Sequence, residues 1–297
     1  MASFGYPQVI PMKIALYIPE RGVHPEDKNW MWWVFKLLED KHEILLNECD
    51  DDCDVILGMT ISLVHKIRVA KLIHPDIPLI VYNWDMHPLL QPEVGDWREN
   101  GWKELMEKSV DIWTQTYYHA KISEEMTGLR HFVMPICALD WEFKGKTKDG
   151  DYALMASRRV PYKGFDLFEK GCDSCQIKSV SRHPNYGDRD GYVKELSECK
   201  VVVIASEEEA NTPMSGYEGA FLKKPLLLSD IPPHREEWED AAIYFKNKDI
   251  VSFREKLKEV FDGKHEDMGK KAYDRAMSMF TAQQFADRIN KRLCEVL

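Results

Sequence analysis

The chain has 297 residues, 44% of them hydrophobic and 30% charged, which is typical of a globular protein long enough for two domains. Its net charge of −10 at pH 7 argues against a broad nucleic-acid-binding face, because such a face needs clustered basic residues. Seven cysteines without a secretory leader favour the cytoplasm, and thiols rather than a disulfide framework.

The first half of the chain alternates short apolar runs with helical patterns, beginning with the strand candidate KIALYIP at residues 13–19. A helix then carries an apolar face made of Trp30, Trp33, Val34, Leu37 and Leu38. Further strands are predicted at residues 54–59, 78–84, 110–116 and 131–136, and the helix SLVHKIRVAKLI lies between the first two. This alternation predicts a parallel sheet with helices on both faces.

The polar segment KGKTKDGD at residues 144–151 is the most linker-like part of the chain. After it, strands are predicted in the runs DYALMAS, QIKSV, VVVIAS, PLLLSD and AIYF, and helices from Arg254 to the C-terminus. We therefore predict two doubly wound α/β domains, residues 1–146 and 147–279, with a C-terminal helix from about residue 280 to 297 packing back on the first. Ligands of such folds bind at the carboxyl ends of the strands, so we expect the site in the crevice between the domains.

A basic loop, SRRVPYKGFD at residues 157–166, follows the first predicted strand of the second domain. Lys163 precedes a helix start, where the helix dipole disfavours a cation unless an anion is bound there. Arg158 would add a second charge-assisted contact to that anion, and Gly164 permits a close backbone approach.

The alternative for this loop is a solvated surface turn without a ligand. In that case Lys163 or Arg159 would pair with Asp166 or Glu169 in the following helix. On spacing alone the solvated turn is the favoured interpretation, because short motifs match by chance.

A longer pattern, ASEEEANTPMSGYEGAFLKKPLLLSDIPPHREEWEDAAIYF at residues 205–245, resembles the donor-binding signature of family-4 glycosyltransferases. The matching positions are Ser206, Glu209, Glu218, Pro225, Ser229, Asp230 and residues 240–245. The basic loop resembles the same family's sugar-nucleotide loop, G-R-x-V-x-x-K-G. In the first half, KIALYIP and VMPICALDWEF resemble the family's first strand and the segment before its interdomain linker.

The resemblance implies a GT-B fold, with two Rossmann-like domains and a donor and acceptor cleft between them. It implies a retaining transferase whose donor is a nucleotide-diphosphate sugar, a UDP- or GDP-sugar, and which needs no metal or other cofactor. Arg158 and Lys163 would hold the diphosphate and stabilise the leaving group, Glu209 would contact the donor sugar, and Glu218 the ribose. The segment of Thr212, Pro213, Met214 and Ser215 would line the sugar and phosphate with its backbone N–H groups, which Pro213 lacks.

Two departures from the family pattern lie in the donor half. Eight residues separate Glu209 from Glu218, one more than in the family's E-x(7)-E spacing, and Ala-Asn-Thr replaces the usual Gly-Phe-Gly. The region between QIKSV and VVVIAS is also short. Because loops from that region contact the base in the family, the nucleotide stays open.

The N-terminal half departs from the family at its His-Asp pair. Asp85 takes the Asp position, Trp84 replaces the histidine, and His87 is the nearest imidazole, for which a structural role is equally open. The family's glycine pair after the first strand reduces to Gly22, which we expect to line the acceptor or phosphate side.

Acidic and cysteine clusters were weighed as metal sites. Asp188 and Asp190 form a D-x-D motif, and residues 50–52 are three aspartates, but neither follows a strand in the way a metal–diphosphate site requires. Cys172 and Cys175 have metal-ligand spacing, yet no second pair completes a zinc site. We expect solvated turns and no metal.

Two alternatives to a transferase stay open: a GT-B hydrolase or epimerase of sugar nucleotides, and a donor-binding pseudo-enzyme without turnover. The acceptor is a glycan, a lipid-linked molecule, a protein or a modified base, and the charge disfavours nucleic acid. The aromatic cluster at residues 30–33 and the basic helix at residues 65–71 are candidates for peripheral membrane contact, although such aromatic stripes more often form core. No apolar run reaches the roughly 18 residues of a membrane span.

Overall fold

The computed structural model describes residues 10–18, 30–59, 63–83, 96–182, 188–209 and 211–297. The chain divides into two compact units, one formed by residues 1–135 with 282–297 and the other by residues 136–281. Each unit contains a parallel β-sheet with helices, which confirms the α/β prediction. Among the helices in the described ranges, none combines the length and apolar character that crossing a bilayer requires.

The first unit holds a parallel sheet with the strand order β2-β1-β3-β4-β5-β6. Every residue of β3 and β4 is buried, as expected for central strands covered on both faces. The strands are β1 (Lys13–Tyr17), β2 (Glu43–Leu46), β3 (Val55–Gly58), β4 (Leu79–Tyr82), β5 (Asp111–Thr114) and β6 (Phe132–Val133). The helices are α1 (Trp30–Glu39), α2 (Val64–Ile73), α3 (Asp96–Glu107) and α4 (Tyr117–Thr127), with α11 (Ala282–Val296) from the C-terminus.

The C-terminal helix α11 is tied to the first unit by charged and polar contacts. Arg292 donates to both carboxylate oxygens of Asp111 on β5, at 2.7 and 2.9 Å. His42 Nε2 lies 2.7 Å from Asn290 Oδ1, and both side chains are buried. The last helix therefore completes a domain that is otherwise built from the start of the chain.

The second unit holds a parallel sheet with the strand order β11-β10-β9-β7-β8. Its strands are β7 (Ala153–Ala156), β8 (Ser179–Arg182), β9 (Val201–Ile204), β10 (Leu226–Ser229) and β11 (Ile243–Phe245). Its helices are α5 (Phe165–Cys175), α6 (Arg189–Glu198), α7 (Met214–Phe221), α8 (Pro232–Trp238), α9 (Ile250–Phe261) and α10 (Met268–Met279). Because β7, β9 and β10 are neighbours, the loops at their carboxyl ends lie along one edge of the sheet.

The boundary between the units follows Pro135, whereas the sequence places it after residue 146. Segment 136–146 belongs to the second unit because its side chains pack there. Phe143 stacks on Phe221 of α7 with ring centroids 6.3 Å apart, and Glu142 forms two hydrogen bonds with Arg189 of α6. A polar segment marks the exposed stretch of this connection, but aromatic packing decides where the domain begins.

Candidate functional site

The loops after β7 and β9 are packed directly against each other. Gly164 ends a 3₁₀ turn, Pro161–Lys163, with φ of 74°, in the left-handed region that favours glycine. A Cβ at this position would collide with the carbonyl oxygen of Ala205, at the end of β9. The backbone N–H of Glu207 donates to the carbonyl of Tyr162 at 2.7 Å. Glycine at position 164 therefore lets the basic loop rest on the end of the next strand.

The loops after β7 and β9 and the start of α8 each contribute one side chain to a buried cluster, which we call the lysine cluster: Lys163, Glu209 and His234. The Lys163 ammonium donates to Glu209 Oε2, and the side chains of the two residues are only 6% and 0% exposed. His234 Nε2 lies 3.7 Å from the other carboxylate oxygen of Glu209. His234 Nδ1 lies 2.9 Å from the carbonyl oxygen of Ser229, which can only accept, so Nδ1 carries the hydrogen.

The charge state of the lysine cluster follows from its contacts. Burial alone would raise the pKa of Glu209. The positive charge of Lys163 and the interaction with His234 favour the ionised carboxylate more strongly, and they lower this pKa to about 2. Glu209 is therefore ionised at any ordinary pH. The cluster places one carboxylate between two nitrogen groups at the carboxyl edge of the sheet.

The two arginines of the basic loop have different surroundings. Arg159 pairs with Glu169 of α5 and lies over the ring of Phe165, 4.9 Å from its centroid. This is the surface pairing that the solvated-turn alternative predicts for Arg159. Arg158 is exposed on the same loop, and Lys163 pairs with Glu209 rather than with an acidic residue of α5.

Glu218 lies in a second ion cluster, the arginine cluster, formed with Arg189, Glu142 and Tyr192. Glu218 and Tyr192 are buried, and Arg189 and Glu142 are half-buried. Arg189 Nη2 lies 2.7 Å from Glu218 Oε1, and the Tyr192 hydroxyl donates to Glu218 Oε2. The same guanidinium donates to both oxygens of Glu142, at 3.0 and 2.6 Å. Burial opposes the charge of Arg189, but the carboxylates of Glu218 and Glu142 raise its pKa above the usual value.

The sequence reasoning singled out Glu218 and missed its three partners. Arg189 lies inside the D-x-D motif, which was interpreted as a turn, whereas residues 189–198 form α6. Asp188 caps that helix by accepting from the N–H of Gly191 at 3.2 Å, and it also pairs with Arg182 at 2.6 Å. A capping Asp followed by a helical pattern was the available signal for this helix.

Thr212, Pro213, Met214 and Ser215 form the turn into α7, which begins at Met214 without a side-chain cap. Thr212 and Ser215 are both buried. The first N–H groups of a helix lack partners within the helix, so an uncapped start can bind an anion. The prediction that this turn lines the donor stays a prediction.

Glu237, on α8, is a buried carboxyl that the sequence reasoning did not identify. The Thr212 hydroxyl donates to its Oε1, and the Tyr217 hydroxyl donates to the same oxygen at 3.1 Å. Burial, with repulsion from Glu209 and Glu236, raises the pKa of Glu237 to about 8. The signal was helical periodicity, since residues 234, 237 and 238 are the polar and aromatic positions of one buried face.

Three predicted site residues, Gly22, Asp85 and His87, lie outside the described residues. The acidic run at residues 50–52 is described, and there Asp50 accepts from Lys13 at 2.6 Å. The seven cysteines, all within the described ranges, form no disulfide.

Solved structures with the same fold include HepE from Anabaena, in complex with UDP and glucose, with a TM-score of 0.72 and 12% identity. That match covers 96% of this chain and 100% of HepE. A glycosyltransferase from Rickettsia africae has a TM-score of 0.65 and 10% identity, over 95% of this chain and 97% of its own. TarM from S. aureus, in complex with fondaparinux, α-GlcNAc-glycerol and UDP, has a TM-score of 0.65 and 14% identity, over 88% of this chain and 58% of TarM.

These similarities confirm the GT-B fold, with two Rossmann-like domains. At such low identity they establish the fold alone. No protein-family model matches the sequence, and no curated protein is significantly similar to it.

Proposed function

We propose that this protein is a retaining glycosyltransferase that moves a sugar from a nucleotide-diphosphate sugar to an acceptor hydroxyl. The observation that carries the proposal is Lys163, a buried ammonium held by an ionised carboxylate at the carboxyl end of β7. Open α/β sheets bind ligands at that edge. The GT-B fold and the UDP-glucose bound to HepE support a sugar nucleotide as that ligand.

In this proposal the donor diphosphate lies between the basic loop and the start of α7. Lys163 and Arg158 neutralise the charge that develops on the departing diphosphate, and the backbone N–H groups of Thr212, Met214 and Ser215 bind its oxygens. Glu209 holds the Lys163 ammonium at this edge, so its first role is to position the cation. The contact between Glu209 and the donor sugar, implied by the family resemblance, stays a prediction.

The ribose is proposed to bind at Glu218. Both oxygens of Glu218 already have a partner in the protein: Oε1 is ion-paired with Arg189, and Oε2 accepts from the Tyr192 hydroxyl. An ionised carboxylate offers about four lone-pair sites, so two ribose hydroxyls still find acceptors there. Arg189 and Tyr192 would orient the carboxylate for that purpose.

In the proposed chemical step, the bond between the anomeric carbon and the diphosphate oxygen breaks while the acceptor oxygen bonds to the same face of that carbon. The departing diphosphate takes the acceptor proton on that face, so the configuration of the sugar is retained. Asp85 and His87 are proposed to lie on the acceptor side, and Gly22 to line the acceptor or phosphate. We propose a UDP-sugar rather than a GDP-sugar as the donor, and no requirement for a metal or other cofactor. The proposed location is the cytoplasm, where thiols stay reduced.

The proposed function is tested by thermal shift and mass spectrometry with a panel of UDP- and GDP-sugars, followed by a donor-consumption assay with hydroxyl acceptors. We expect a sugar nucleotide to raise Tm and to be consumed only when an acceptor is present. Consumption without acceptor would instead support a hydrolase, and binding without consumption a pseudo-enzyme. If no sugar nucleotide binds, the proposal is wrong.

Peripheral membrane contact is proposed for helix α2. Its exposed face combines Val69, Leu72 and Ile73, which are 54%, 81% and 64% exposed, with the exposed cations Lys66 and Arg68. Apolar side chains flanked by cations suit an anionic bilayer surface. Sedimentation with phosphatidylglycerol vesicles should fall for Leu72→Glu, but not for Val251→Glu, which changes an exposed valine on α9. If Leu72→Glu, Val251→Glu and the wild type all sediment with the vesicles to the same extent, helix α2 does not contact the membrane.

A further inference from the structure

Glu237 lies where α8 packs against the turn into α7. The residue is 5% exposed, and two hydroxyls, from Thr212 and Tyr217, converge on its Oε1. Its Oε2 is buried and has no hydrogen-bond partner within the described part of the chain. Thr212 belongs to the turn proposed to bind the donor, so Glu237 is connected to the donor site through one hydroxyl.

The surroundings of Glu237 favour its neutral form. Tyr217, whose hydroxyl donates to this carboxyl, packs in an aromatic group with Trp238 and Phe280, and the three ring centroids lie 4.4 to 5.6 Å from one another. An ionised carboxylate whose Oε2 has no hydrogen-bond donor would lack the partners that make a buried charge tolerable. Burial accordingly raises the pKa of Glu237 to about 8, so the carboxyl holds its proton at neutral pH.

The titratable groups around Glu237 do not supply a cation to its carboxyl. Glu209 and Glu236 repel its charge, and the guanidinium of Arg275 donates to its backbone carbonyl, at 3.0 Å, rather than to the carboxyl. Arg235, on the same helix, donates to both carboxylate oxygens of Asp230 instead, at 2.7 and 2.8 Å. Other titratable side chains on the surrounding elements include His234, Tyr217 and Tyr244. Two buried glutamates thus lie near each other, Glu209 ionised beside Lys163 and Glu237 protonated.

We propose that Glu237 is a positioning residue that, by accepting from the Thr212 hydroxyl, holds the Thr212–Ser215 turn in its donor-binding conformation. This inference rests on the proposed function. The neutral carboxyl accepts from Thr212 without adding negative charge near the diphosphate. When Glu237 loses its proton, the new charge repels both Glu209 and the bound diphosphate, and donor affinity falls.

The test is the Kd of UDP-glucose, measured by calorimetry between about pH 7 and pH 9, with GDP-mannose in parallel. For the wild type we expect the affinity to fall about tenfold over this range, as a single group with a pKa of about 8 ionises. Glu237→Gln keeps a neutral amide at every pH, so its affinity should change less than about twofold over the same range. Glu255→Gln, the same substitution at an exposed residue of α9, should follow the wild type.

Wild-type pH dependence in Glu237→Gln would overturn the inference. An infrared titration that detects the protonated carboxyl in the wild type and its loss in Glu237→Gln gives a second readout, independent of ligand. Ionisation of Glu237 already complete at pH 7 would also overturn it. If neither donor binds at any pH, both the proposed function and the donor role of Glu237 are wrong. The infrared titration would still show whether Glu237 is protonated, because it needs no ligand.

Discussion

The lysine cluster and the arginine cluster both hold ionised side chains away from solvent, but their balance of positive and negative groups is opposite. In the first, one carboxylate, Glu209, lies between Lys163 and His234. In the second, one guanidinium, Arg189, lies between Glu142 and Glu218. The first has nitrogen groups to offer an anion, and the second has a surplus carboxylate to offer hydroxyl donors. The difference matches a donor with a diphosphate at one end and a ribose near the other.

The largest expected effect comes from removing the cation of the lysine cluster. Lys163→Met leaves Glu209 buried without its ion-pair partner, so we expect unfolding to become easier by about 3–5 kcal/mol. Lys163→Met/Glu209→Leu removes both charges and should recover most of that loss. Lys170→Met, which breaks an exposed pair with Asp166, should cost less than about 1 kcal/mol in urea unfolding. Equal losses in the two single variants would show that burial of the pair does not matter.

The second effect separates the two arginines of the basic loop. Arg158→Ala should reduce turnover by about 10²–10³-fold, as expected for loss of one group that stabilises a leaving anion. Arg159→Ala should retain turnover within a few-fold, since Arg159 pairs with Glu169. The comparison is made in the donor-consumption assay at saturating acceptor. Unchanged turnover in Arg158→Ala would remove this residue from the diphosphate contact.

A third effect concerns Glu237, the buried carboxyl without a cation. Its folded pKa of about 8 exceeds the ordinary value of 4.5, so the folded state binds more protons between these values. The free energy of unfolding should therefore fall by about 3 kcal/mol from pH 5 to pH 8 owing to this group. Glu237→Gln should lack this decline in urea titrations. Parallel pH profiles for the two proteins would contradict the assignment.

The smallest effect tests the arginine cluster. Tyr192→Phe removes the hydroxyl that donates to Glu218 and should weaken uridine binding by about 1 kcal/mol, roughly fivefold. Tyr152→Phe is the matched control, because its hydroxyl donates to the backbone carbonyl of Glu195 at 2.7 Å instead. We expect Tyr192→Phe to bind uridine more weakly than Tyr152→Phe does. Equal uridine affinities of the two variants would show that Glu218 does not bind the ribose.

The strands were predictable because buried parallel strands are short, apolar and separated by helical patterns. All but one of the described strands overlap a predicted run. The exception is β2, Glu43–Leu46, an edge strand whose residues are half-buried or exposed. Its apolar run, Ile44–Leu46, is only three residues long and is a weak strand signal.

The sequence identified several residues of the candidate site, but not which of them contact one another. Lys163 and Glu209 were both identified from the sequence, yet their pairing depends on β7 and β9 being neighbours in the sheet. Strand order cannot be predicted from local sequence patterns. Arg189 and Glu237 lie in polar stretches that resemble exposed turns and helices. Their burial results from tertiary packing against α7, which local patterns do not encode.

In the proposed function, donor affinity resides in the contact between the diphosphate and the lysine cluster. The direct measurement is the ratio of the Kd of uridine to that of UDP in the wild type and in Lys163→Met/Glu209→Leu. We predict that UDP binds the wild type at least about 100-fold more tightly than uridine, which corresponds to about 3 kcal/mol, and that the ratio falls to within about tenfold in the double variant. A ratio unchanged by the double variant would contradict the account.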